Sequence, residues 1–406
     1  MTRRAWLPLL LVGLLAAPAA ADEFHYQGHP VGARAAGMAG AFAGLAEDNS
    51  AIWYNPAGLV LGRGLELSLS TSVYGISRDA IAGSAAVQSP SFVAYPSTFA
   101  LVKTPFWIKG VDENPRHRYG IAILVTDYAK SARQDLDPGV QERLVKVADM
   151  TTQFGAAYAY RPFSRLMFGA SGYIVMRDLT RFEERAEAAG SGDFGLSRRD
   201  LRGSHIGLQL TAGALYRRSE RFSAGLVLRS PTMSLTGSLE LTEFSKLPGG
   251  SLSDRASQSG TFTSKLPLSA TVGVAWRPLA RLLVTTDVTA YAPVPSYVTV
   301  QTEALAETVE KSAVVNVAVG LESRLSAHVP LRLGFFTDFS ARPADGSTDL
   351  GVIQPDYYGI TGSIGYEASR AAIIAGTAVQ LGDLSAGGYH LERLEVRWWI
   401  AGSYRL

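Results

Sequence analysis

The chain has no cysteine among its 406 residues. That excludes a disulfide framework and a thiolate metal site. It also excludes lipid attachment at a mature N-terminal cysteine. Net charge is nearly absent too, with 38 basic against 36 acidic residues. Setting aside Arg3 and Arg4 leaves 36 of each sign, so nothing here recruits nucleic acid or an anionic membrane surface. Past the N-terminus there is no apolar run near the roughly 20 residues that a helix needs to cross a bilayer. What precedes is different: Arg3 and Arg4, an apolar run from Ala5 to Ala17, then Pro18-Ala19-Ala20-Ala21-Asp22. This is the layout of a secretory signal peptide over residues 1–21, with cleavage expected before Asp22. The apolar run is too short for a membrane anchor.

An exported chain with 47% hydrophobic residues, 41 glycines and no spanning helix is either a soluble all-β protein or a transmembrane barrel. Alternation with period two runs through Leu268 to Trp276. It recurs in Leu65–Val73, Phe154–Tyr160, Leu166–Ile174, Ile206–Tyr216, Phe222–Leu228, Leu282–Val288, Val315–Leu321, Leu331–Phe339 and Leu394–Tyr404. A soluble sandwich also alternates, so the connections must decide. Short basic turns (Arg161–Arg165, Arg217–Arg221, Arg277–Arg281, Glu367–Arg370) alternate with long polar stretches. Those stretches are Ser131–Val147, Glu183–Asp200, Thr242–Ser259, Ala292–Glu310 and Ala341–Asp356, which we read as external loops. Strands entering the short turns end on Tyr160, Tyr216, Trp276 and Tyr366, and the last strand on Tyr404. Aromatic rings at matching strand ends form an interfacial girdle. The fold class is therefore all-β: a transmembrane antiparallel β-barrel of about 14 strands, an even number as bacterial barrels require. Both termini are expected on the periplasmic side.

Some forty residues separate the signal peptide from the first strand, among them Val31 to Ala46, rich in glycine and alanine, and E-D-N-S-A-I-W-Y-N-P-A-G-L at 47–59. A barrel of this size encloses more space than its wall side chains can fill. A chain of small residues can occupy that space. Asn55 suits an N-cap, Pro56 the first position of a short helix, and Ala57 and Gly58 close packing. We read residues 22–63 as a hatch inside the lumen and 64–406 as the barrel. Gly37, Gly40 and Gly44 lack the G-x-G-x-x-G spacing and have no strand before them, which argues against dinucleotide binding.

The run GARAAGMAGAFAGLAEDNSAIWYNPAGL (32–59) resembles the N-terminal hatch of the FadL/TodX family of outer-membrane transporters for long-chain fatty acids and hydrocarbons. LRSPTMSLTG (228–237), LPLSATVGVAWRP (266–278), LRLGFFTDFS (331–340) and QPDYYGITGSIGYE (354–367) are similar to family segments as well. The resemblance implies a fourteen-stranded barrel in the outer membrane of a Gram-negative cell, blocked by its hatch. It implies hydrophobic ligands that enter through external loops and leave sideways through the wall. Only Asn55, Pro56 and Ala57 carry over as a family motif.

Charges on the lumenal register are Glu66, Asp287, Arg332, Asp338, Glu395 and Arg397, expected to pair with each other or with the hatch. His205 shares that face with Gln209, and Ser204 points the other way, so the two form no direct dyad. His25 and His29 would ligate a metal only at helical spacing. No cofactor, metal or catalytic residue is expected. The expected partners are a hydrophobic small molecule (fatty acid or hydrocarbon) and outer-membrane lipid, with the protein a monomer. The alternatives are a general diffusion porin, a barrel serving secretion or assembly, and an outer-membrane lipid hydrolase.

Overall fold

The computed structural model describes residues 24–26, 31–81, 87–104, 115–137, 141–188, 194–246, 255–303, 305–343, 355–386 and 389–406. The expected signal-peptide boundary and His29 lie outside them. Fourteen antiparallel strands close into a barrel. They are β1 (Glu66–Ile81), β2 (Val87–Lys103), β3 (His117–Asp137), β4 (Gln141–Tyr160), β5 (Leu166–Ala188) and β6 (Phe194–Ser219). Next come four interrupted strands: β7 (Phe222–Arg229 and Met233–Lys246), β8 (Ala256–Phe262 and Ser269–Leu279), β9 (Leu282–Tyr291 and Val294–Gln301) and β10 (Ala306–Lys311 and Val314–Arg324). Then follow β11 (Pro330–Asp338), β12 (Asp356–Glu367), β13 (Ala371–Ala386) and β14 (Tyr389–Arg405). Strand β14 pairs with β1 from Glu66↔Arg405 to Ile81↔Leu391, which closes the ladder.

Alternation sorts the side chains as the sequence predicts. On β8, Val272, Val274 and Trp276 face outward and are exposed, whereas Ser269 and Ala275 are buried inside. Tyr160, Tyr216, Trp276, Tyr366 and Tyr404 are all exposed at strand ends, as a girdle requires. The breaks in β7, β8 and β9 contain Pro231, Pro267 and Pro293, which have no N–H to give to a ladder. Neighbouring amides bridge two of these breaks: Ser230 N donates to Leu210 O and Ala292 N to Leu268 O, both at 2.8 Å.

Two expectations need correction. Much of four of the five stretches read as external loop is strand; in Ala341–Asp356 only Asp356 is strand among the described residues. Ser131–Val147 is largely the paired ends of β3 and β4, and Glu183–Asp200 those of β5 and β6. Thr242–Ser259 and Ala292–Glu310 likewise carry strand residues. Beyond the membrane a strand has water on both faces, so polar residues replace the apolar alternation although pairing continues. The second correction concerns the N-terminus. Phe24 O accepts from Ala341 N, and His25 bonds Pro355 O, at the end opposite the short turns. From there the chain must run down the lumen to reach β1 at the base.

This topology is tested by single cysteines in a chain that has none. Ala256→Cys, beside the outer end of β8, should react with an impermeant thiol reagent on intact cells. Ser164→Cys, in the β4–β5 turn, should react only after lysis. Labelling in the reverse order would invert the barrel.

Candidate functional site

Residues 31–61 fold inside the barrel as two short helices, α1 (Ala33–Gly37) and α2 (Ala51–Tyr54), followed by a 3-10 turn, Pro56–Leu61. Asn55 is the pivot. Its backbone is extended (φ −155°, ψ 98°), and its Oδ1 accepts from Ala57 N, as an N-cap should. Pro56 takes the first position of the turn, where no N–H is needed. Nδ2 of Asn55 donates to Ala43 O at 2.9 Å and to Ala214 O on β6 at 3.1 Å. The residue is completely buried. One side chain thus caps the turn, ties it back to its own segment and ties both to the wall.

The wall makes room for this. A Cβ on Gly225 of β7 would sit 2.1 Å from Ala43 O, and one on Gly169 of β5 would sit 2.4 Å from Ala57 N. Backbone therefore approaches backbone, and polar groups do the joining. Asp287 of β9 accepts from Phe42 N at 2.8 Å and Ala43 N at 2.7 Å. Thr361 of β12 accepts from Ala39 N and donates to Gly37 O. Arg118 of β3 reaches under the segment to Leu59 O and Gly64 O. Tyr173 of β5 donates its hydroxyl to Ile52 O.

A charged cluster fastens the segment's lower face. Arg34 bonds Glu322 of β10 at 2.6 Å and Glu47 at 2.8 Å, and Arg277 also reaches Glu47 at 2.7 Å. Arg332 of β11, fully buried, completes the chain by pairing with Glu322 and Glu367. Burial pushes the Glu47 carboxyl up, but the Arg34 and Arg277 guanidiniums outweigh it and hold the group below its ordinary range. Beside this cluster lies a cavity of about 430 Å³, bounded by residues of the segment, β1, β13 and β14.

Of the charges expected on the lumenal register, Asp287 accepts from Phe42 N and Ala43 N of the segment, whereas Arg332 pairs with the wall carboxylates Glu322 and Glu367. Glu66 lies at its foot and pairs with Arg405. Asp338 is fully buried in the outer half, where it accepts from Tyr26 N. Glu395 and Arg397 pair with each other. His205 is buried and contacts Ser234 Oγ at 3.1 Å, away from the segment. Sequence reasoning missed Arg118, Thr361, Glu322 and Tyr173, whose partners are main-chain atoms or distant in sequence.

The wall is not evenly sealed. The ladder between β2 and β3 has six residue pairs, from Thr98↔Leu124 to Lys103↔Tyr119. Above that point β2 continues to pair with β1, and β3 with β4. The two strands therefore part at mid-wall. Thr98, where they part, is buried and accepts from Gly32 N of the segment at 3.2 Å. The segment thus sits against the lower lip of the gap.

No protein-family model matches the sequence, and no curated protein matches it. Solved structures do. The toluene transporter TodX of Pseudomonas putida superimposes with TM-score 0.70 at 14% identity, covering 95% of this chain and 100% of that one. A FadL homologue from Pseudomonas aeruginosa gives 0.64 at 15% identity, over 94% and 99% of the two chains. The toluene transporter TbuX of Ralstonia pickettii gives 0.63 at 18% identity, over 93% and 98%. The fold is that of FadL and TodX. At these identities the likeness speaks for the architecture, and the FadL/TodX fold is the one that the 32–59 run implied.

Removing the pivot tests how the segment is held. Asn55→Ala loses a cap worth about 1 kcal/mol and removes the bond to the buried Ala43 carbonyl, at about 1–3 kcal/mol, together with the tie to Ala214 O on the wall. The barrel should still insert and show heat-modifiable migration on a gel. Amide exchange over residues 42–61 should quicken at least tenfold, read by mass spectrometry. Unchanged exchange there would show that Asn55 does not hold the segment.

Proposed function

We propose that the chain is an outer-membrane channel for passive uptake of hydrophobic small molecules. Residues 1–21 are its signal peptide, 22–63 its hatch and 64–406 its barrel. The observation that carries this reading is the place of residues 31–61. They are bonded inside a closed barrel with an apolar outer face, and Gly32 touches the lip where β2 and β3 separate. An apolar molecule in the lumen can pass between those strands straight into lipid, without crossing water. That route suits a hydrophobic cargo and would serve a solvated ion poorly.

Several observations bear on the alternatives. A general diffusion porin needs an open aqueous lumen, and here polypeptide bridges it from β3 to β12. A lipid hydrolase needs a serine activated by a positioned base and an oxyanion site. His205 meets Ser234 beside the register shift between Ile206 and Gly207, where the contact steadies an irregular ladder. The names of TodX and TbuX as toluene transporters support an apolar cargo. Closure of β14 onto β1 leaves no free sheet edge between them and supports a monomer surrounded by outer-membrane lipid.

Expression in a strain lacking its own hydrophobic uptake channels is the direct test. The protein should raise accumulation of labelled toluene or labelled dodecanoate several-fold over a vector control. Deleting residues 32–57 should convert the purified barrel into an ion-conducting pore in planar bilayers. No gain in uptake of either cargo, with the barrel correctly inserted, would overturn the reading. An equally silent bilayer for the deletion would remove the hatch from it.

A further inference from the structure

The even charge balance of the whole chain hides an uneven distribution. At the base of the barrel, the last rung of the ladder sets arginine against arginine. Arg161 N donates to Arg116 O, Arg217 N to Arg165 O and Arg277 N to Arg221 O, each at 2.8 Å. The same pairing recurs at Arg324 with Arg281 and at Arg405 with Arg370. Like charges directly opposite each other destabilise a sheet. A glutamate on one side of each pair would serve the ladder better, so folding alone does not account for them.

The register decides which way they face. Tyr160, Tyr216 and Trp276 are exposed on the lipid side. Arg161, Arg217 and Arg277, one residue on, therefore belong to the lumenal face, as do the arginines opposite them. Arg277 accordingly reaches Glu47 of the segment, and Arg217 borders the cavity beside it. Arg165, Arg221 and Arg281 are exposed at the mouth, and among the described residues no carboxylate holds them. Arg161 shows how close the cations lie: burial lowers its guanidinium, and the charges of Arg116 and Arg217 lower it further.

Three neighbouring turns, β4–β5, β6–β7 and β8–β9, concentrate this charge. Residues 161–165, 217–221 and 277–281 hold seven arginines and one acid, Glu220. Two of these turns repeat one pattern, Arg-Pro-apolar-small-Arg. Their tips, Phe163 and Leu279, are each 65% exposed. Such a tip packs nothing within the barrel, and it stands three residues past the girdle that meets lipid. Arginine around an exposed aromatic anchor is the composition of a protein-binding surface.

We propose that the base of β4–β9 is a docking surface for an acidic periplasmic protein. Its carboxylates pair with Arg165, Arg221 and Arg281, and it covers Phe163 and Leu279. The arginines face the mouth of the barrel rather than the surrounding bilayer, which selects a soluble partner over anionic lipid. Charge of one sign on this rim also steers such a partner in from the periplasm. The surface is independent of which cargo the channel carries.

The test is made on the full-length protein in cells of the species that produces it. Phe163 and Leu279 are replaced singly by the photoreactive residue p-benzoylphenylalanine. Irradiation should give the same protein adduct from both positions, with a partner of net negative charge. The probe at Ile174, exposed on the lipid face, should not give it. Combining the Phe163 probe with Arg165→Glu, Arg221→Glu and Arg281→Glu should cut the adduct about tenfold. Migration should stay heat-modifiable in that variant, because each new carboxylate stands opposite an arginine. Binding of the purified partner to the purified channel should also weaken as salt is raised. Absence of a protein adduct from both positions would overturn the proposal. So would an adduct with phospholipid alone, which would make the arginines lipid anchors. An adduct undiminished by the three reversals would show that charge does not recruit the partner, and would overturn it equally.

Discussion

The structure depends on one requirement: in hydrocarbon every backbone N–H and C=O must find a partner inside the protein. The ladder meets it by returning on itself, β14 to β1. Closure at fourteen strands has a consequence that the strands cannot handle alone. The circle is too wide for wall side chains to fill. Water or polypeptide must occupy the centre, and here the chain supplies it from its own N-terminus. That segment is made of alanine and glycine because it must lie within backbone distance of the wall at several points. Gly225 and Gly169 are the wall's share of the same constraint, since any Cβ there would overlap Ala43 or Ala57.

Contact between two backbones leaves little apolar side-chain surface to bury at those points, so hydrogen bonds do the joining there. Each such bond adds only about 0.5–1.5 kcal/mol net. The wall is stitched by one continuous ladder, whereas the segment is held by separate side-chain bonds, among them those of Asn55, Asp287, Thr361, Arg118 and Tyr173, and by apolar side chains such as Met38, Phe42 and Ile52 that share a core with the wall. The two parts thus differ in how they are held within one chain. Backbone strain widens the difference. Ala39 and Ala46 both lie in the left-handed region, with φ of 56° and 38°. An L-residue there costs about 1–2 kcal/mol. Thr361 holds the first at its amide, and the second is tied back to Phe42 O. Release of the segment would recover that strain.

How much was legible in the sequence followed from how local the physics was. Alternation is set by neighbouring residues, so Val272–Trp276 and its counterparts could be read directly. The Asn55 cap and the Pro56 start are equally local, and both stand as expected. Strand length was misjudged where a strand leaves the membrane: the β5–β6 arms beyond Glu183 keep pairing while their pattern turns polar. Asp287 and Arg332 were found because a charge on an inward register is conspicuous. Thr361 and Tyr173 were not, since a hydroxyl on that face is unremarkable until the carbonyl of Gly37 or Ile52 is placed against it. The gap between β2 and β3 was beyond reach for a related reason. Missing pairing is a property of two strands together, and neither Thr98 nor Leu124 announces it alone.

The segment contacts the wall at two places of different character. At Gly32 it meets Thr98, where the pairing of β2 with β3 ends. At Trp53 it meets Arg229, on the opposite side of the same short stretch of chain. A cargo can shift the segment only through contacts that differ between its seated and displaced forms. An inert hydrocarbon offers mainly dispersion, which is nearly the same against either form. Asn55 follows Trp53 by two residues, so the bond from Arg229 and the bonds of Asn55 hold the same short stretch of chain to the wall. The polar attachments are spread along the segment from Gly32 to Leu59, while its apolar side chains share one core with the wall.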